Sequence, residues 1–421
     1  MAKGLLLGAG FSFDLGMPLA SEFSDTLFSF LNSFKIENLI NNMRGHRPYC
    51  NDRTLCDITL NQLLDIYNDF LNSENKNYEE LFRIVESLQV TGREAQETIS
   101  YFLSKLRNII NELFLIYQRK TYFYYILNRD KYKWLIDQFI KEEFWVFTLN
   151  HDVLIEMLCI DYKIPLNEGD SQTVQIPMSN LNMEECIDFG KIDATEKDVD
   201  KLNYLKNTKG INILKIHGGL NEFFQGDEKT GRHRMIFNYH KFESSLNYLN
   251  ALESFIHTPH YYINDRPPNI ESEICVSDFD GVLQFMQPSI LTGSKKYHKT
   301  ISQNHREEKI ELFSSGLTKI DELYIIGYSF ADKHINNRIS HAMHLNDKLK
   351  VLVVNPTSQK QELFEPFDYN ARVRYCNTSF PVWADYEKTG KWDSEFSKTI
   401  HELTDTVRKP LIASIKENIM K

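Results

Sequence analysis

Five short apolar runs, each closed by a glycine or a polar side chain, constrain this chain more than any other feature. They span Gly4 to Leu7, Phe144 to Thr148, Ile211 to Ile216, Leu323 to Ile326 and Lys350 to Val354. Most of their residues are apolar on both faces of an extended backbone. Strands of that kind belong to a parallel sheet covered by helices above and below.

Between the first two runs lies a long helical stretch. Leu60, Leu63, Leu64, Tyr67, Phe70 and Leu71 recur at helical spacing, as do Leu81, Phe82, Val85 and Leu88. Leu103, Leu106, Ile110, Leu113 and Tyr117 repeat the pattern. These stripes predict amphipathic helices facing a core. The expected fold class is α/β, a Rossmann-like parallel sheet flanked by helices. Residues 1–380 are assigned to it, with a helical insertion over 59–141. Residues 381–421 read as a helical C-terminal tail that Pro410 should kink or split. From about Asp161 to Gly210 the chain is polar and reads as a long irregular surface insertion. A hairpin is expected around Lys229-Thr230-Gly231.

The net charge of -10 argues against sequence-independent nucleic-acid binding, which depends on Lys and Arg neutralising phosphates. No two of the six cysteines have Cys-x-x-Cys spacing, so no zinc ribbon can be read from them. Leu5-Leu6-Leu7 is too short for a signal-peptide core. No apolar run approaches the roughly 18 residues that a membrane helix requires. A cytoplasmic protein with reduced thiols, bound to neither membrane nor nucleic acid, is expected.

The run ends carry the chemistry. Gly8-Ala9-Gly10-Phe11-Ser12 follows the first run, where a strand should turn into a helix. Glycines there allow close backbone approach, and a helix start near Ser12 would face an anion. The pattern departs from G-x-G-x-x-G because Phe13 occupies the third glycine position. A tight strand–helix turn without ligand is the alternative. The second run ends in Thr148-Leu149-Asn150-His151-Asp152, whose first, third and fifth residues share a face if extended. Asp152 could also cap a following helix. The third leads to His217-Gly218-Gly219, with the imidazole expected to be exposed. The fourth reaches Gly327-Tyr328-Ser329, ahead of Asp332 and His334; the fifth reaches Asn355. Ligands of open α/β sheets lie outside these carboxyl ends. His334, His341 and His344 have a weak metal-ligand spacing, and Lys295 and Lys296 could meet a phosphate.

In this order, together with Gly16-Met17-Pro18, the motifs resemble those of sirtuins. The match looks closest to the sirtuin-like proteins of bacterial anti-phage defence, which carry "GYSF-x-D-x-HIN" as Gly327 to Asn336 does. It runs through residues 4 to 356 and leaves out the helical insertion and the tail. The zinc-binding cysteine pairs of sirtuin deacylases are missing, so no zinc is expected.

That resemblance implies cleavage of NAD to nicotinamide and ADP-ribose by a regulated abortive-infection effector. It implies Asn150 and His217 as the catalytic pair, with Asp152 as a supporting carboxylate. Gly8, Ala9, Gly10, Ser12, Thr148, Gly327, Ser329 and Asn355 would hold NAD, which is the substrate. Control by homo-oligomerisation or by a co-encoded regulatory protein is expected. The alternatives are a non-hydrolytic NAD or ADP-ribose sensor and an NAD-dependent protein deacylase.

Overall fold

A computed structural model describes all residues except 1, 45–54, 74–75, 180–181, 228–230, 258–259, 262–273, 278–282, 291–303, 358–359, 369–370, 393 and 421. The strands are β1 (Lys3–Leu7), β2 (Glu143–Thr148), β3 (Leu166–Asn167), β4 (Gln172–Ser179), β5 (Asn182–Asp193), β6 (Gly210–Lys215) and β7 (Glu222–Asp227). They continue with β8 (Gly231–Phe237), β9 (His260–Tyr261), β10 (Ile274–Ser277), β11 (Leu283–Pro288), β12 (Glu322–Ile326), β13 (Lys350–Val354) and β14 (Val373–Cys376).

One sheet has the order β14-β13-β12-β1-β2-β6-β3, and every neighbouring pair in it is parallel. The five apolar runs form its centre, each within a residue of its expected bounds. Leu5 lies between Val146 and Tyr324 in register. Because side chains alternate across a strand, the sheet feeds two cores. Leu5, Leu7 and Val146 join one, whereas Leu6, Trp145 and Phe147 join the other. All the carboxyl ends share one edge. The chain leaves β1 for β2 on one side and later returns to pair β12 on the other, which makes β1 and β12 the topological switch point.

The helices are α1 (Ala9–Phe13), α2 (Ala20–Phe30), α3 (Ser33–Met43), α4 (Asp57–Leu71), α5 (Tyr78–Glu86), α6 (Arg93–Lys120), α7 (Tyr122–Asn128) and α8 (Lys133–Phe139). After β2 come α9 (Leu154–Tyr162), α10 (Ser245–His257), α11 (Asn304–Leu317), α12 (Lys333–Leu345), α13 (Glu365–Asp368), α14 (Phe380–Thr389) and α15 (Ser394–Met420). The expected stripes of α4, α5 and α6 bury Leu60, Leu63, Phe82, Val85, Leu106 and Ile110. On the opposite face of the sheet, α11 and α12 bury Phe313, Leu317, Ile335 and Ile339.

Two expectations need correction. The stretch from Asp161 to Gly210 is not irregular: it contains β3 and the long antiparallel pair β4–β5. Its apolar residues alternate with polar ones, and Ile176, Ile187 and Phe189 are all buried. These strands belong to a second sheet, β4-β5-β8-β7-β11-β10-β9, antiparallel except between β9 and β10. Phe189, Phe223 and Phe237 of this sheet pack on Phe255 of α10. The expected hairpin is present as the β7–β8 pair, with its tip outside the described residues apart from Gly231. The second is that Pro410 does not split the tail, since α15 runs through it as one helix. A proline removes its own N–H and crowds the carbonyl four residues before it, and α15 is anchored two residues earlier by the buried Arg408.

Candidate active site

The glycine loop is shaped first by its neighbour across the switch point. A Cβ on Gly8 would stand 2.6 Å from Gly327 O and 2.7 Å from Tyr328 Cα. Gly327, with φ +64°, would bring a Cβ within 2.3 Å of Phe11 N. The two loops interlock through Gly8 N–H to Ile326 O and Gly10 N–H to Gly327 O, both 3.0 Å. Phe11 N–H donates back to Gly8 O. The close approach permitted by these glycines is therefore made by protein backbone, and three of the loop's N–H groups are already bonded. Ala9 is half-buried at the loop's edge.

Ser12 is almost fully buried. Its hydroxyl donates to Asp152 Oδ2 at 2.6 Å and accepts from Asn150 Nδ2 at 2.9 Å. The same amide donates to Gly8 O, also at 2.9 Å. Both amide hydrogens of Asn150 are thus spent on the glycine loop, which leaves Oδ1 as its acceptor for a ligand. β2 stops at Thr148, so the expected shared strand face does not extend to Asp152. Thr148 instead turns the chain: its buried hydroxyl accepts from Asn150 N–H at 3.0 Å. Asp152 Oδ1 accepts from Leu154 N–H at the start of α9, close to the expected capping position, while Oδ2 holds Ser12. Burial raises the Asp152 carboxyl above its ordinary range, against the Ser12 hydrogen bond and the Lys215 charge.

His217 lies in the turn after β6, the strand that pairs with β2, and the two loops are stitched together. Ile216 N–H donates to Thr148 O, and Leu220 N–H to His151 O, each at 2.9 Å. The buried ring of His151 meets Gly218 O at 3.3 Å through Nδ1. Gly218 has φ +76°, and a Cβ there would strike Ser289 O at 2.2 Å. The expectation that His217 is exposed is wrong: only 6% of it is. Its Nε2 stands 3.2 Å from Asp332 Oδ2, an ion-pair distance along which the ring N–H is not aimed.

Behind these loops lies a buried charge network. Lys215 Nζ donates to Asp152 O at 2.6 Å and pairs with Glu156 at 2.7 Å. Asn221 bridges Glu156 and Glu168, while Lys309 binds Glu222 and Lys215 O. Burial lifts Glu168 well above the usual carboxylate range, with the Glu156 charge adding to it. Burial would also raise Glu222, but Lys309 and Arg234 outweigh it and hold that carboxyl low. Lys309 is itself brought down to about 8 by burial, against the pull of Glu222.

The remaining predicted residues lie toward the β12 side. Asn355 Nδ2 donates to Tyr328 O at 3.1 Å, so it braces the loop after β12. Ser329 is exposed on that loop. Gly8, Gly10, Ser12, Asn150, Asp152 and Gly327 therefore form one bonded cluster, joined to His217 through His151 and Gly218. Sequence reasoning assigned no role to His151, Lys215 or Asp332; "DKHIN" did mark a helix start at Asp332. His334 and His341 line an open cavity of about 400 Å³ on α12 with Asn337 and Arg338. His344 is separate, against Ser340 O and the Phe367 ring. Among the described residues no group of three or more His, Cys, Asp or Glu side chains could hold a metal ion. Lys295 and Lys296 lie outside the described residues. No helix among the described residues is long and apolar enough to cross a membrane. Compared with known proteins, the chain matches no protein-family model and no curated protein.

Proposed function

We propose that this chain is a sirtuin-like NAD glycohydrolase, cleaving NAD to nicotinamide and ADP-ribose. One observation carries this reading. Asn150 and His217 follow the ends of adjacent parallel strands by two residues each, and hydrogen bonds tie their loops to each other and to the glycine loop at the switch point.

Cleavage of the nicotinamide–ribose bond releases a neutral pyridine and leaves positive charge on the ribose, as in other glycosidic cleavages. The leaving group needs no proton. Water adds to the ribose carbon and loses a proton, so NAD and water give nicotinamide, ADP-ribose and H⁺. With both its amide hydrogens held by Gly8 and Ser12, Asn150 offers Oδ1 to a ribose hydroxyl or to that water. His217 accepts the proton, a role worth roughly 10²–10⁴-fold in rate. Ala9, Ser329 and Asn355 would meet the rest of the dinucleotide. As an abortive-infection effector, the enzyme would act in the cytoplasm and need a trigger, through self-assembly or a co-encoded regulator.

The burial of His217, only 6% exposed, favours a second reading, a sensor that binds NAD or ADP-ribose without turnover. Incubation of the purified chain with NAD separates the two. Nicotinamide release without an acylated peptide, reduced at least a hundredfold by Asn150→Ala or His217→Ala, supports the hydrolase. Saturable binding with NAD intact supports the sensor. Release that requires an acylated peptide would point to a deacylase and overturn both.

A further inference from the structure

We infer that Asp332 is the positioning residue of His217 and that the loop after β12, with the first turn of α12, is built to hold it. The carboxylate is divided between two tasks. Oδ1 caps α12, accepting from His334 N–H at 2.9 Å and Ile335 N–H at 3.4 Å. Oδ2 faces His217 Nε2 at 3.2 Å, with the two side chains 14% and 8% exposed. The cap fixes the carboxylate plane and so aims the second oxygen.

The backbone of Asp332 is held in turn. Tyr328 OH accepts from Asp332 N–H at 3.2 Å and lies 3.0 Å from both Asp332 O and Asn336 Oδ1. Asn336 Nδ2 donates to Phe330 O at 2.8 Å, closing the loop around Phe330, whose φ is +60°. Gly327 lets the same loop lie against Gly10 and Phe11. Tyr328 and Asn336 thus brace the backbone that carries Asp332.

The chemical consequence concerns the imidazole tautomer. A carboxylate only accepts, so the ring nitrogen facing it must carry the proton. Nε2 is then the N–H, and Nδ1 keeps the lone pair that can take a proton from water or a ribose hydroxyl. The negative charge next to Nε2 also stabilises the imidazolium formed when Nδ1 is protonated. A small rotation of the ring would align Nε2–H with Oδ2, as often happens when a substrate tightens a site.

Asp332's catalytic effect rests on the hydrolase reading above; its effect on the ring does not. Asp332→Asn and Asp332→Ser both retain a good helix cap while removing the charge. Each should melt close to the parent, lower kcat for nicotinamide release at least tenfold and leave KM within about threefold, on a general-base role of this size. Independently, ¹⁵N spectra of histidine-labelled protein should show His217 as the Nε2–H tautomer in the parent, with the proton shifted toward Nδ1 in Asp332→Asn. An unchanged tautomer in that variant, or full kcat in both variants, overturns the inference. A tautomer shift in a chain that never cleaves NAD would uphold the pairing and remove the hydrolase reading instead.

Discussion

The Ser12 hydroxyl donates to Asp152 Oδ2 across 2.6 Å, joining the first glycine loop to the end of β2, 140 residues away in sequence. Asp152 is buried, and this bond is one of the influences holding its carboxyl down against burial. Ser12→Ala removes the donor and also takes an acceptor from Asn150, although that amide retains Gly8 O. A buried hydrogen bond to a charged group is worth about 1.5–3 kcal/mol. Urea denaturation should therefore show Ser12→Ala less stable by about 2 kcal/mol at pH 8. The deficit should shrink as pH falls through the raised Asp152 titration, because the protonated carboxyl depends less on the serine. Equal stability of the two proteins at pH 8 would show that the bond does not form.

Asp14, just after α1, is only 4% exposed, and burial pushes its carboxyl up to about 7, with Lys131 and Arg408 pulling the other way. An acid raised in the folded state holds its proton longer there than in the unfolded chain. Its contribution is therefore complete below about pH 4 and is lost as pH rises toward 7. The displacement from an ordinary aspartate is worth roughly 4 kcal/mol at most. Asp14→Asn should remove this slope. Urea midpoints of the variant should match the parent near pH 4 and exceed it at pH 8. A difference independent of pH would place the cause elsewhere.

Legibility in the sequence followed burial. β1, β2, β6, β12 and β13 are covered on both sides, so their runs are apolar almost throughout and stand out. The second sheet has strands such as β5, in which buried Phe189 and Ile192 sit among charged residues, and β9, with two residues, which offers no pattern at all. Gly8, Gly10 and Gly327 were recognisable as sites of close approach, but sequence cannot say whether the approaching group is a phosphate or another loop. Asn150 and His217 stand out as candidates because polar groups at strand ends are conspicuous. Lys215 and Asp332 were not, because their meaning depends on partners far along the chain: Glu156 and Asp152 for one, His217 for the other. Lys215 reads as a break in a strand until the fold buries its amine between acceptors.

The C-terminal helix bears on the site through Arg408, which has no exposed side-chain surface. Its guanidinium donates to Met17 O at 2.6 Å and to both oxygens of Glu22 at 2.8 and 2.6 Å. It also lies 3.8 Å from the centre of the Phe13 ring. Phe13 adjoins Ser12, and Met17 lies in the turn that follows, so α15 fixes the far side of the glycine loop. Lysine cannot reproduce this arrangement, because it lacks the planar fork that meets two carboxylate oxygens and stacks on a ring. Arg408→Lys should therefore destabilise the protein even though the charge is kept. Arg408→Met should cost more, about 1–3 kcal/mol, since it takes this donor from Met17 O and the charge from Glu22, which keeps Leu19 N–H. Hydrogen exchange of the 8–19 segment should accelerate in both variants, more than in the β13 strand on the far side of β12. Parent-like protection over 8–19 in Arg408→Met would show that the loop holds its shape without the C-terminal helix.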